Sequence, residues 1–65
     1  MKNVKVSVLL KALADDGWEM VKQKGSHRQF KHPDKPGKVT VNGGLSDDIC
    51  GIVLRSIQKQ SGLTF

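Results

Sequence analysis

Val6, Leu9, Leu10 and Leu13 recur at i, i+3, i+4 and i+7, the spacing that lines one side of an α-helix. Asn3 and Ser7 are both able to cap its start, and the stripe favours Asn3. Asp15-Asp16-Gly17 ends it, with Gly17 suited to the left-handed position after a helix. The pattern predicts a helix over about residues 5–15. Trp18 to Lys24 alternates imperfectly but lies between two glycines and reads as a first strand. Gly25-Ser26 reads as a tight turn, and His27 to Lys31 as a second strand. Alternation there sends Phe30 to the core and His27, Gln29 and Lys31 to the wet face, with Arg28 and Lys31 facing opposite ways.

Two prolines in His32-Pro33-Asp34-Lys35-Pro36-Gly37 block regular pairing, and Pro36-Gly37 matches the central pair of a type II turn. Lys38 to Val41 is β-branched and alternating, a third strand with Val39 and Val41 joining Phe30. Asn42-Gly43-Gly44 breaks the pattern. Ser46-Asp47-Asp48 then supplies capping side chains and negative charge for a second helix. Ile49, Cys50, Val53, Leu54 and Ile57 are expected on its apolar face, with Arg55, Gln58 and Lys59 off it. Gly51 falls near its first turn, Gly62 closes it, and Leu63 is placed to fold back. The predicted order is α-β-β-β-α: an α+β fold whose three-stranded antiparallel sheet buries its apolar face under both helices.

Sixty-five residues are read as one domain spanning 1–65, too small to enclose a large cofactor, so any chemistry must sit on an open surface. Eleven Lys and Arg against six Asp and Glu give +5, which favours a polyanionic partner. No apolar run is long enough to span a bilayer, the N-terminal residues lack a signal-peptide pattern, and Cys50 is alone. A reduced, cytoplasmic protein is expected.

Candidate chemistry gathers at Lys24 to Lys31. An imidazole, His27, follows a turn on an open sheet face beside cations and an amide, which suits a phosphate-bearing ligand better than packing. His27 and His32 alone cannot make a zinc site, so neither metal nor cofactor is expected. His32 beside Pro33 reads as structural or idle, Trp18 and Cys50 as core residues, and Asp15-Asp16 and Asp47-Asp48 as helix-end charges. The residues alone leave three functions open: catalysis by the imidazole on a phosphate-bearing ligand, RNA binding without catalysis by a module of the double-stranded-RNA-binding type, or docking of an acidic protein on the basic face.

Leu9-Leu10-Lys11-Ala12-Leu13, Asp16-Gly17-Trp18, Gly25-Ser26-His27, Phe30-Lys31-His32-Pro33, Gly37-Lys38-Val39-Thr40-Val41 and Leu54 to Leu63 occur in that order. In this respect the chain resembles the HicA (YcfA-like) toxins of bacterial toxin–antitoxin pairs, from about Ser7 to Leu63. The resemblance implies a fold similar to the double-stranded-RNA-binding domain and ribosome-independent cleavage of mRNA, for which the histidine chemistry below needs no metal. It implies His27 as the catalytic residue and a HicB antitoxin that covers it. On that reading histidine, with an ordinary pKa of about 6.5, serves as general base or acid toward the ribose 2′-hydroxyl. Lys22, Lys24, Arg28 and Lys31 are candidates to hold phosphates, and Ser26 to orient RNA. Many relatives carry a Pro-x-His or Pro-His segment after the third strand, where this chain has Asn42-Gly43-Gly44.

Overall fold

The computed structural model describes residues 2–65. Its elements run β1 (Asn3–Lys5), α1 (Val6–Asp15), β2 (Glu19–Lys24), β3 (His27–Lys31), β4 (Val39–Val41), β5 (Asp48–Cys50) and α2 (Gly51–Ser61). The expected three-stranded antiparallel sheet is present in the order β2-β3-β4, and two helices pack with it in an α+β arrangement. Two short strands depart from the expected order. β1 and β5 pair antiparallel as a separate ribbon, with Val4 opposite Ile49. Both side chains are buried, so the ribbon closes one end of the core.

The predicted helical stripe of α1 is correct: Val6, Leu9 and Leu13 are wholly buried and Leu10 packs at the margin. Its start differs. Neither Asn3 nor Ser7 caps it; Lys5 holds the cap position and makes no side-chain capping bond. The first free N–H groups of the helix find backbone acceptors instead: Val6 donates to the Asp47 carbonyl at 2.9 Å and Ser7 to that of Leu45 at 3.1 Å. Asp47 holds that loop in shape by accepting the Gly44 N–H at its carboxylate (2.8 Å) and donating its own N–H to the Gly44 carbonyl. So Ser46-Asp47-Asp48 does not start α2. Asp48 lies in β5, across from Lys5 and within 3.7 Å of its ammonium.

α2 begins later than expected, at Gly51, whose φ of 59° cannot continue a helix backwards. Ile49 is buried from the strand rather than the helix, and Cys50 and Val53 are exposed. The core face of α2 is Leu54, Ile57 and Ser61. Gly62 ends the helix at φ 74° as expected, and Leu63 packs back on the core. Trp18, Phe30, Val39 and Val41 complete the core from the sheet side.

β2 explains its own imperfect alternation. Counting back from the turn, Lys24 pairs with His27, Gln23 with Arg28 and Lys22 with Gln29. The register then slips, and Met20, not Val21, lies opposite Phe30. Paired residues share a face, so an ordinary strand cannot send Lys22 and Lys24 outward while keeping Trp18 and Met20 on the Phe30 side. One extra residue, Val21, switches the parity between the two pairs: a β-bulge.

Candidate active site

The Gly25-Ser26 turn sets the site. With two residues between paired Lys24 and His27, it is the tightest hairpin connection. Gly25 has φ 59° and Ser26 is not among the positive-φ residues, the pattern of a type II′ turn, which demands glycine first. The turn therefore fixes His27 as the first residue of β3, exposed and directly across from Lys24. Cβ atoms of such pairs lie about 5 Å apart.

Lys22, Lys24, His27, Gln29 and Thr40 line one shallow depression of roughly 190 Å³ on the outer sheet face. Its residues fall in two rows. Lys24 and His27 form the first; Lys22, Gln29 and Thr40, drawn from three adjacent strands, form the second. The rows stand about 7 Å apart, two residues along β3. Neither Lys22 nor Lys24 has a carboxylate within ion-pair distance among the described residues, so both charges face solvent uncompensated.

The other predicted members separate. Lys31 shares the face but stands four residues along the strand, about 13 Å from His27, opposite Glu19. Ser26 stays beside His27 in the turn, and its carbonyl accepts a bond from Arg28 at 3.3 Å. Arg28 points the other way. It is buried, and its Nη1 also donates to the Gly43 carbonyl at 2.8 Å. Its guanidinium ties β3 to the Asn42-Gly43-Gly44 segment and is not presented to a ligand on the His27 face. Gln29 and Thr40, by contrast, are not among the predicted binding residues. The signal is present in the sequence, because both have the outward parity of His27: Gln29 by alternation in β3, Thr40 between the inward Val39 and Val41.

His32 is held elsewhere, by hydrogen bonds within the chain. Asp34 N–H donates to Nδ1 at 3.0 Å, which leaves Nε2 as the protonated nitrogen, donating to the Asp16 carbonyl at 2.6 Å. The ring meets buried Trp18 edge-on, with centroids 5.2 Å apart. Around them Asp16 accepts from the Lys35 ammonium and from Trp18 Nε1, and Lys35 also reaches the Ser61 carbonyl. The Lys35 hydrogen bond holds the Asp16 carboxyl below its ordinary 3.8, against the opposing effect of partial desolvation. This cluster clamps the end of α1 and the end of α2 to the loop between β3 and β4. Among the described residues, no three His, Cys, Asp or Glu side chains gather as a metal site. No helix among the described residues is long and apolar enough to cross a membrane.

A protein-family model described as the HicA toxin of bacterial toxin–antitoxin systems matches residues 7–63. No curated protein sequence matches the chain.

Proposed function

This chain belongs to the HicA toxin family of bacterial toxin–antitoxin systems, and on that footing we propose that it is a metal-independent endoribonuclease acting on mRNA through His27. The observation that carries the reading is the company His27 keeps: an exposed imidazole across the hairpin from Lys24, with Lys22 in the next row. RNA brings its own nucleophile. The imidazole accepts the 2′-hydroxyl proton as that oxygen bonds to phosphorus. The P–O5′ bond breaks, and the departing oxygen takes a proton from the imidazolium so formed or from water. The products end in a 2′,3′-cyclic phosphate and a 5′-hydroxyl. Lys24 and Lys22 offset charge on the phosphoryl oxygens, which is worth most where it is already positioned.

Membership of the family implies an antitoxin partner. We take it to be a HicB-type protein that presents carboxylates to this same cationic face, since opposite potentials speed encounter and fix register. Purified chain incubated with mixed-sequence mRNA and excess chelator should yield fragments with cyclic phosphate ends, and an added acidic antitoxin should stop it. Intact RNA, or cleavage that requires a divalent ion, counts against the reading.

A further inference from the structure

The cations of the site contribute charge without sequence information, because contacts to phosphate do not distinguish one base from another. Of the five side chains lining the depression, two are lysines and one is the imidazole assigned to the proton transfer, which leaves Gln29 and Thr40 as neutral donors and acceptors. These two are the groups free to read a base at this surface while His27 handles the proton.

The chain holds four glutamines, and the hydrogen bonding sets one apart. Gln23 donates to the Gly25 carbonyl, Gln58 accepts the Phe65 N–H, and Gln60 bridges Ser56 and the Thr40 N–H. The Gln29 amide takes no protein partner among the described residues, although its side chain is half-buried between Lys22 and Thr40. It keeps two donor hydrogens and an acceptor oxygen unspent. Thr40, across the sheet from it, donates its backbone N–H to Gln60 Oε1 of α2 at 3.2 Å, which ties this row of the sheet to the helix. A half-buried amide with open hydrogen-bonding capacity, one row from the imidazole, is placed to meet a splayed base.

We propose that Gln29, with the Thr40 hydroxyl beside it, reads the edge of the nucleobase adjoining the scissile phosphate and so selects where the RNA is cut. The row spacing of about 7 Å is roughly one nucleotide step, so a phosphate at His27 and Lys24 puts the neighbouring nucleotide over Gln29. A carboxamide pairs best with adenine, donating to a ring nitrogen while accepting from the exocyclic amine. Single-stranded RNA exposes these edges once its bases unstack. This inference rests on the ribonuclease reading.

The test maps cut sites on a mixed-sequence RNA for wild type, Gln29→Leu, Gln29→Glu and Thr40→Val, with thermal unfolding of each as a control. Wild type should show adenine enriched beside the cut. Gln29→Leu should lose that enrichment by on the order of tenfold, with overall cleavage less affected. Gln29→Glu keeps the shape but has only acceptors, so the favoured base should move toward cytosine, whose exocyclic amine a carboxylate accepts from. A switch of preference cannot come from a poorly folded protein, so this variant stands even if Gln29→Leu is unstable. Cut sites identical to wild type in Gln29→Glu overturn the inference while leaving the nuclease intact. Absence of cleavage by wild type overturns both.

Discussion

Replacing Arg28 with methionine separates a structural cation from the ligand-facing ones. The stem of the side chain is buried and methionine fills much the same volume, so what the change removes is the charged donor. Arg28 Nη1 donates to two carbonyls, Gly43 at 2.8 Å and Ser26 at 3.3 Å. Hydrogen bonds from a charged group contribute about 1.5–3 kcal/mol, and the shorter bond to Gly43 is the main one lost. A domain of this size has a total stability of only roughly 3–10 kcal/mol. The midpoint of thermal unfolding should therefore fall by roughly 6–24 °C. RNA affinity, measured by titration well below that midpoint at several salt concentrations, should keep its slope against log salt. Removing a phosphate-facing lysine such as Lys24 should instead lower the slope by about 0.7 and leave the melting temperature nearly unchanged. An Arg28→Met variant with wild-type stability and a reduced salt slope would refute the structural assignment and return Arg28 to the binding surface.

Other substitutions probe the clamp and the start of α2. A Cβ at Gly17 would sit 2.9 Å from His32 Nε2, on a backbone at φ 99°, so Gly17→Ala should cost about 1–3 kcal/mol in urea unfolding. Asp16 has its carboxyl lowered by Lys35, so its contribution to stability is complete above the ordinary 3.8 and disappears as pH falls through the lowered folded value. Asp16→Asn should accordingly be less stable than wild type at neutral pH, and the gap in unfolding midpoint should close in strong acid. A gap that persists there would exclude the ion pair as its cause. Cys50 is exposed, so Cys50→Ser should change stability by no more than about 0.5 kcal/mol, where a core cysteine would lose far more.

The α1 stripe, the Gly25-Ser26 turn and the outward set of β3 are legible in the sequence because each rests on local periodicity or on a residue with one conformational use. The β1–β5 ribbon is not. Asn3-Val4-Lys5 and Asp48-Ile49-Cys50 each hold too short an alternation for a period of two to register, and their pairing is a long-range event. Periodicity alone therefore merges Ile49 and Cys50 into the following helix, which carries Cys50 and Val53 wrongly into the core. The cap of α1 fails for a related reason: its acceptors are backbone carbonyls from residues 45 and 47, and backbone groups leave no mark in a sequence. At the site, His27, Lys22 and Lys24 line one depression. Arg28 is the instructive exception, since its parity assigns it to the Phe30 side, yet its charge alone suggests a ligand. Buried polar groups are hydrogen-bonded within the protein, and here that internal tie takes up the guanidinium.

The most direct test of whether His27 carries the chemistry is a single-turnover comparison of wild type and His27→Ala on the same RNA, with binding followed in parallel. The His27 side chain is exposed and makes no hydrogen bond to the rest of the chain among the described residues, so its loss should leave folding and RNA affinity intact while the cleavage rate falls by about 10²-fold or more. An alanine variant that binds RNA and cuts it as fast as wild type would contradict the claim that this imidazole moves the proton.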